Sequence, residues 1–269
     1  MRDQPAEHHQ CTDAAGTTPE LSVQGAVATL SLRRPLVHNR MTPEDLTVLA
    51  AQIDHLNQLS AVRIIVLQSE GKSFSSGFDL AQFGRSSSDA LSGANPFEDL
   101  CDAVENARAI TIARLHAPVY GGSTDLALAC DFRIGADDIR MFMPAVRLGL
   151  HYYGHGLRRW VTRLGLGAAK RLFLTGRTID ATEMLRIGYL DAMVPGQDLD
   201  QELQRWIDEL CTAAPMPLAS MKTVLNATAR QAYDEHAAQQ LYLSCLSSHD
   251  VQEALEAFIH KRKPVFTGT

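Results

Sequence analysis

Alternating apolar and polar side chains open the patterned part of the chain. Residues 21–32 form two short alternating runs separated by Gln24 and Gly25, which predicts a β-hairpin. A helix is expected from Thr42, because a capping hydroxyl, a proline and two acids follow one another there. The buried stripe of that helix is predicted to consist of Leu46, Leu49, Ile53 and Leu56.

Three later runs rich in β-branched residues have the length of buried strands, namely 63–68, 109–115 and 132–136. Helical sequence separates each run from the next, so crossover connections and a largely parallel sheet are expected. The segment 84–96 is rich in Ser and Gly and predicts a mobile surface loop or lid.

Strand patterns almost disappear after Gly154, and helical patterns follow one another to the end of the chain. The predicted helices are 156–164, 167–175, 180–187, 199–213, 217–229, 234–247 and 249–261. We therefore divide the chain into a disordered leader over residues 1–20, an α/β core over 21–195 and a helical C-terminal lobe over 196–269.

Composition and charge exclude several classes of protein. The 25 Lys and Arg residues are outnumbered by 31 Asp and Glu, and no basic run carries interleaved aromatics, so no nucleic-acid partner is expected. No apolar stretch has the roughly 18 to 20 residues of a membrane span, and residues 1–20 lack a signal pattern, which predicts a cytoplasmic protein without membrane contact. The five cysteines lack metal spacing, and His8 and His9 fit a polar tail, so no metal site is expected.

Two glycine-containing turns stand where a ligand could approach the main chain. Gly121 and Gly122 end an apolar run, and Asp125 follows on a predicted helix; Gly77 and Asp79 occupy a similar strand exit. Amides from two such segments can bind one carbonyl oxygen and stabilise an enolate, an effect of about 3 to 4 kcal/mol per donor.

The order and separation of these segments resemble the crotonase (enoyl-CoA hydratase/isomerase) superfamily over nearly the whole chain after the leader. The resemblance rests on residues 32–39, 71–80, 121–131, 143–149, 174–177 and 258–266. It implies an α/β fold with a crotonase-like spiral of ββα units and a C-terminal α-helical trimerisation lobe. It also implies an acyl-CoA thioester substrate, a homotrimer or dimer of trimers, and no cofactor other than coenzyme A as part of the substrate.

The resemblance also assigns site residues. It places the main-chain N–H groups of Ser76 and Gly122 in the oxyanion hole, and it implies coenzyme A phosphate contacts for Arg33, Arg34 and residues 261–263, for which a solvated face is the alternative. The substrate-binding residues implied are Val37, His38, Ser75, Gly77, Asp79, Leu80, Gly121 and Ala145.

The chain departs from the hydratase pattern at the second acidic position. Hydratases of the superfamily hold water with two glutamates, whereas this chain has Asp125 and Ala145, and alanine can neither orient water nor carry a proton. Candidate replacements are His151, Tyr152 and His155. Tyr152 stands where methylmalonyl-CoA decarboxylases of the superfamily carry an active-site tyrosine, although Phe78 replaces the histidine of those enzymes.

Three functions are compatible with these residues. The first is an enzyme of the enoyl-CoA hydratase/isomerase type that stabilises a thioester enolate, with Asp125, Tyr152 and His151 as catalytic candidates. The second is a decarboxylase of a malonyl-type CoA thioester, in which Tyr152 binds the carboxylate and no base is needed. The third is an inactive acyl-CoA-binding homologue, which Ala145 favours.

Overall fold

Nine strands form two sheets in the computed structural model, which describes residues 16–79 and 95–269. In chain order they are β1 (Glu20–Gln24), β2 (Val27–Leu32), β3 (Ile64–Ser69), β4 (Ile110–Leu115), β5 (Val119–Tyr120), β6 (Phe132–Ala136), β7 (Arg140–Phe142), β8 (Ile179–Asp180) and β9 (Ala192–Val194). The large sheet has the order β1-β2-β3-β4-β6-β9, and a small sheet has the order β5-β7-β8. Every neighbouring pair of the large sheet except β1 and β2 is parallel, which confirms the predicted parallel core.

The helices surround the large sheet and form the C-terminal end of the chain. Among the described residues they are α1 (Pro43–Gln58), α2 (Pro96–Glu105), α3 (Ser123–Ala129), α4 (Gly154–Thr175), α5 (Ala181–Arg186), α6 (Leu199–Cys211), α7 (Pro215–Ala229), α8 (Glu235–Leu246) and α9 (His249–Ile259). Short 3-10 turns occupy Pro35–Val37, Ala145–Leu148 and Gly196–Asp198.

The first predicted hairpin and helix are confirmed. Strands β1 and β2 pair antiparallel around Gly25, whose φ of +59° suits glycine. The Thr42 hydroxyl accepts the Asp45 amide, and the Asp45 carboxylate accepts the Thr42 amide at 2.8 Å, so the two residues form a capping box at α1. The predicted apolar stripe of α1 is buried.

Strand β3 is buried on both faces, as the continuous apolar run predicted. One face packs into the main core with α1 and α2, and the other packs under α6 through Leu199, Leu203 and Ile207. Both faces of the sheet are therefore covered at β3, and the loops of the site follow the ends of its strands.

After residue 154 the structure adds two strands to the sequence prediction and confirms one predicted helix break. Strands β8 and β9 were missed, because two- and three-residue strands show no period that a pattern could reveal. The predicted break between helices 156–164 and 167–175 appears inside α4, where Gly165 is non-helical with φ of +80° and ψ of 155°. The chain bends at Gly165 and continues directly into the second part of α4.

Helix α7 is tied to the core sheet by a buried lysine. The Lys222 ammonium lies 2.6 Å from Asp131 Oδ2 and donates to the Ala109 carbonyl oxygen at 2.9 Å. The division of the chain at residue 195 stays a prediction. Residues 1–15 of the expected leader and residues 80–94, including Leu80 and most of the expected lid, lie outside the described part.

Candidate active site

The turn at Gly77 and the turn at Gly121 and Gly122 lie against each other through their main-chain atoms. Gly77 has φ of +88°, and a Cβ atom on it would lie 2.7 Å from the Gly122 nitrogen. Gly121 has φ of +58°, and a Cβ atom there would lie 3.1 Å from the Ser76 carbonyl oxygen. Backbone conformation and limited space therefore both favour glycine at positions 77 and 121. The two glycine turns predicted from the sequence form one surface.

The amides at this surface differ in what they bind. The Gly122 N–H, directly before α3, has no acceptor within residues 16–79 and 95–269. The Ser76 N–H donates to the His38 carbonyl oxygen at 2.9 Å, so the prediction that it faces the oxyanion is wrong. The Gly77 N–H donates to Ser75 Oγ at 3.0 Å.

The segment from Ser75 to Asp79 lies between two other strands. Met41 donates to the Gly77 carbonyl oxygen and accepts from the Asp79 amide, each at 2.9 Å, in a parallel bridge centred on Phe78. In such a bridge the central residue directs its own N–H to the opposite edge. On that edge Ser75 pairs with Val119, the strand that leads into Gly122.

An apolar wall closes the back of Gly122. A Cβ atom on Gly122 would lie 2.9 Å from the ring of Phe97 at the start of α2. The Phe97 ring centroid is 6.4 Å from the centroids of both Phe78 and Tyr153. These rings keep water from the rear of the amide and strengthen electrostatic interactions at its front.

Asp125 lies in the first turn of α3 and is fully buried. Its Oδ2 accepts a hydrogen bond from the Tyr153 hydroxyl at 2.5 Å and another from Arg159 Nη1 at 2.7 Å. Its Oδ1 is buried and has no hydrogen-bond partner among the described residues. Burial raises the pKa of Asp125, and the Arg159 charge and the Tyr153 hydrogen bond oppose that rise without cancelling it.

The tyrosine that contacts Asp125 is Tyr153, next to the predicted Tyr152. The Tyr152 hydroxyl donates to the Tyr153 hydroxyl at 3.1 Å, and the two rings stack with centroids 4.2 Å apart. Burial raises the pKa of both phenols. Tyr153 was not among the predicted site residues, because spacing alone does not distinguish adjacent tyrosines, and the catalytic role of Tyr152 stays a prediction.

Neither predicted histidine contacts Asp125. His151 is exposed, and its Nδ1 lies 2.7 Å from the Tyr152 carbonyl oxygen. His155 has a half-exposed side chain whose Nδ1 lies 2.5 Å from Asp102 Oδ2 on α2. The structure therefore gives no support to His151 as a replacement for the second carboxylate.

Sequence reasoning missed a buried ionic cluster around Arg159. This residue has no exposed surface, and it contacts Asp125, Asp102 at 2.7 Å and Glu105 at 3.2 Å. We call these four residues the Arg159 cluster. The available signal was the spacing of Asp102 and Glu105, which puts two acids on one face of a helix.

The predicted substrate-binding residues divide into exposed and internal groups. His38 is exposed, with a left-handed φ of 56°, and its ring bonds Ser73, while Val37 precedes it in a 3-10 turn. Ser75 is fully buried and its hydroxyl donates to the Asn39 carbonyl oxygen, so its side chain holds the scaffold together, and the expected main-chain contact with the substrate stays a prediction.

The remaining predicted binding positions are also located. Gly121 donates its amide to the Phe142 carbonyl oxygen, Asp79 is buried with Oδ2 3.5 Å from Arg40 Nε, and Ala145 is buried at the start of a 3-10 turn. Arg34 is buried against Asp45, which contradicts its expected contact with a phosphate.

Comparison with known proteins identifies the family. A sequence profile described as "Enoyl-CoA hydratase/isomerase" matches residues 22–269. The chain belongs to the enoyl-CoA hydratase/isomerase family. This membership confirms the resemblance to the crotonase superfamily that the motifs indicated.

Relatives and solved structures agree with this family. The chain is 32% identical over 210 residues to an enoyl-CoA isomerase/hydratase of Mycosarcoma maydis, covering 77% of each chain. It is 26% identical over 253 residues to a probable enoyl-CoA hydratase of Bacillus subtilis, covering 92% of this chain and 98% of the relative. The crystal structure of an enoyl-CoA hydratase from Bacillus anthracis superposes with a TM-score of 0.87 at 25% identity, covering 94% of this chain and all of the other. The predicted crotonase-like α/β fold is thereby confirmed.

Two further observations concern partners. None of the described helices combines the length and apolar character needed to cross a bilayer, and the cytoplasmic location stays a prediction. Within residues 16–79 and 95–269, no three His, Cys, Asp or Glu side chains are grouped to hold a metal ion.

Proposed function

We propose that this protein binds an acyl-CoA thioester and stabilises its enolate between two main-chain amides. The observation that carries the proposal is the close approach of Gly77 to Gly122: a Cβ atom on Gly77 would lie 2.7 Å from the Gly122 nitrogen, so the two glycine turns lie against each other without side chains between them. The Gly122 amide has no internal acceptor among the described residues, which supports its assignment as one donor.

The second donor that we propose is the Phe78 amide in place of the Ser76 amide. The Ser76 N–H donates to the His38 carbonyl oxygen. The bridge with Met41 directs the Phe78 N–H to the edge of the segment on which Gly122 lies. Two donors aimed at a developing enolate oxygen lower the barrier to its formation.

Asp125 is the proposed base, and it acts without a second carboxylate. Hydration requires water to be oriented and a proton to be delivered separately, and Ala145 supplies no group for either task. Migration of a double bond requires only one base. Asp125 takes a proton from C2 of a 3-enoyl thioester, the electron pair moves onto the thioester oxygen, and the proton returns at C4 to give the conjugated 2-enoyl thioester.

The surroundings of Asp125 suit this exchange of a proton. Burial raises its pKa above the ordinary value of a carboxyl group, which makes the carboxylate a stronger base. Tyr153 donates to Oδ2 and supports the ionised form that accepts the proton from C2 and is restored after the proton returns at C4. The double-bond isomerase therefore fits the geometry better than a hydratase does.

No specific observation favours the two alternatives, a decarboxylase or an inactive binding protein. A decarboxylase would use the Tyr152 hydroxyl for the substrate carboxylate, but that hydroxyl donates to Tyr153. An inactive binding protein would need no base, yet the chain keeps a buried carboxylate with one unpartnered oxygen. Both alternatives remain outcomes of the experiment below.

We also propose that the C-terminal helices mediate self-association into the trimer or dimer of trimers expected from the sequence. Their support is a set of large apolar side chains that are at least 46% exposed in the single chain. These residues are Met221, Leu225, Tyr242, Leu243, Leu246, Leu255, Phe258 and Ile259.

The function is tested with four thioesters in parallel. Three of them, 3-hexenoyl-CoA, crotonyl-CoA and methylmalonyl-CoA, are incubated in H2O, and butyryl-CoA is incubated in D2O. We expect 3-hexenoyl-CoA to gain the absorbance of a conjugated enoyl thioester without a change of mass, and butyryl-CoA to exchange its α-hydrogens. A gain of water by crotonyl-CoA would favour hydration, and carbon dioxide from methylmalonyl-CoA would favour decarboxylation. Binding of all four without exchange or conversion would leave the inactive homologue.

Asp125→Asn separates the base from the amides. We expect this variant to bind butyryl-CoA with nearly unchanged affinity and to lose deuterium exchange by a factor of about 100 or more. Unchanged exchange would remove Asp125 from the mechanism.

A further inference from the structure

The side chain of Arg159 connects the proposed base to two acids on another helix. Its Nη1 binds Asp125 at 2.7 Å, its Nη2 binds Asp102 at 2.7 Å, and its Nε lies 3.2 Å from Glu105 Oε1. One guanidinium group thus contacts three carboxylates, and its Nη2 also donates to Glu105 Oε2 at 3.4 Å. No part of the group is exposed.

The two oxygens of Asp125 are used unequally. Both Tyr153 and Arg159 donate to Oδ2, while Oδ1 is buried without a hydrogen-bond partner among the described residues. A buried, unpartnered carboxylate oxygen is costly unless something else occupies its position. A substrate proton at that oxygen would satisfy it.

We propose that Arg159 is a positioning residue, which anchors Asp125 by Oδ2 and thereby leaves Oδ1 as the oxygen that exchanges protons with the substrate. This inference rests on the proposed function of Asp125 as the base. It goes further in naming the oxygen that reacts and the side chain that selects it.

The acids of α2 prevent Arg159 from moving with the substrate. A planar guanidinium has five N–H donors in a fixed arrangement and can bind several carboxylates at once, whereas an ammonium concentrates its charge at one point. Rotation of Arg159 toward Oδ1 would break its contacts with Asp102 and Glu105 in a buried environment. The direction of the Asp125 carboxylate is therefore set by α2.

Helix α7 extends this arrangement to the C-terminal region. Arg230 donates to Glu105 Oε2 at 2.7 Å, and Asn226 donates to the Glu105 main-chain oxygen at 2.9 Å. Arg158 and Arg163 lie 3.6 and 3.7 Å from the same carboxylate. Three ion pairs in series, Arg230–Glu105, Glu105–Arg159 and Arg159–Asp125, therefore join the C-terminal end of α7 to the proposed base.

The titratable and charged groups around Asp125 give the direction of the electrostatic effect. They are Cys101, Asp102 and Glu105 from α2, and Tyr152, Tyr153, Arg159 and Arg163 from α4 and the residues before it. After burial, which raises the pKa of Asp125, the Arg159 charge is the largest influence and lowers it. Removal of that charge must move the pKa of Asp125 upward.

The first test compares Arg159→Met with Arg159→Lys in the isomerase and exchange assays. Arg159→Met should lower kcat by about tenfold or more with KM within about threefold, because the interaction orients the base and does not bind the thioester. Its acid limb in the pH profile of kcat should lie at higher pH. Arg159→Lys should keep the acid limb near its original position and still lose kcat, because one ammonium cannot hold three carboxylates.

A purely structural role gives different results. If Arg159→Met keeps the original kcat and acid limb, or if Arg159→Lys restores both parameters completely, the positioning role is wrong. A double-mutant cycle adds a second criterion: in the Asp125→Asn background, Arg159→Met should change the residual exchange by less than about twofold. Fully additive losses would also contradict the proposal.

Arg230→Met provides a variant at the edge of the cluster should Arg159→Met fail to fold. Its side chain is 22% exposed, and its loss leaves Arg159 in place while weakening the hold on Glu105. We expect a smaller kcat loss of about twofold to fivefold and unchanged KM. The matched control is Arg205→Met on α6, whose ion pairs are exposed; an equal effect of the two substitutions would overturn the inference.

The outcome for Arg159 is separable from that for the proposed function. If the unsubstituted protein neither exchanges α-hydrogens nor converts any thioester, the proposed function fails. If the unsubstituted protein is active and the Arg159 variants match it, only the positioning role fails.

Discussion

The Tyr153 hydroxyl donates to Asp125 Oδ2 at 2.5 Å, while the Tyr152 hydroxyl reaches only Tyr153. Of these two adjacent tyrosines, Tyr153 contacts the proposed base directly, whereas Tyr152 is connected to it through Tyr153. The difference offers a direct comparison of two nearly identical substitutions.

Tyr153→Phe should reduce kcat by about tenfold to a hundredfold, the range expected for a hydrogen bond to a charged group. Because that bond lowers the pKa of Asp125, its loss should also move the acid limb of the pH profile upward. Tyr152→Phe, the matched control, should lose at most about tenfold with a smaller displacement of the limb. A larger effect at Tyr152 would restore the sequence-based assignment.

Gly77→Ala should abolish turnover, because its Cβ would lie 2.7 Å from the Gly122 nitrogen. Gly188→Ala is the control: it has φ of +77° and nothing within 4 Å of the added atom. Both variants carry the strain of a positive φ, about 1 to 2 kcal/mol. Thermal unfolding together with activity separates the effects, and a Gly188→Ala variant as inactive as Gly77→Ala would show that strain alone is responsible.

Glu105→Gln should lower the free energy of unfolding by about 3 kcal/mol at pH 7, because it breaks a buried set of ion pairs. Burial alone would raise the pKa of Glu105, but the charges of Arg159, Arg230 and Arg163 outweigh it and bring the pKa below its ordinary value of 4.5.

This direction fixes the pH dependence of the Glu105 contribution. The stabilisation is fully present above pH 4.5 and is lost as the pH falls through the lower folded-state pKa. Urea unfolding of both proteins at several pH values should show the gap closing under acid. Glu209→Gln on the exposed face of α6 should show no such gap, and a gap for Glu105 that widened under acid would contradict the assignment.

Lys222→Met should destabilise the fold by about 3 kcal/mol, because it leaves Asp131 without its ammonium partner and frees α7 from the Ala109 carbonyl oxygen. Lys170→Met on the exposed side of α4 is the matched control and should change stability by less than about 0.5 kcal/mol. Chemical unfolding monitored by far-UV circular dichroism measures both.

Phe258→Asp should weaken self-association, because this side chain is 84% exposed on α9 among other apolar residues. We expect a smaller species by light scattering after size exclusion at the same protein concentration. Val23→Asp, 45% exposed on β1, is the control and should keep the original mass. An unchanged mass for Phe258→Asp would place the contact elsewhere.

The parallel core and the glycine turns were accessible from the sequence because both have local signatures. A strand buried on both faces, such as β3, must be continuously apolar, and a positive φ selects glycine at Gly77 and Gly121. The capping box at Thr42 is likewise a local pattern. Each of these elements follows from residues close together in the chain.

The Arg159 cluster could not be predicted in the same way. Its partners Asp102 and Asp125 are 57 and 34 residues away, so their meeting depends on how α2, α3 and α4 pack. The choice between Ser76 and Phe78 as amide donor has a similar origin, because it depends on which edge of the segment pairs with Met41. Sequence spacing located the segments but not the direction of each N–H.

The kink at Gly165, called the corner below, divides α4 into two parts that contact different regions of the protein. Everything that α4 brings to the acid cluster comes before the corner, whereas Ala168, Ala169, Leu172 and Phe173 after it fill the interior. The two halves are also in contact, because the Trp160 ring before the corner packs against the Phe173 ring after it with centroids 5.1 Å apart, so a rotation of the first half that redirected Arg159 would also disturb the interior.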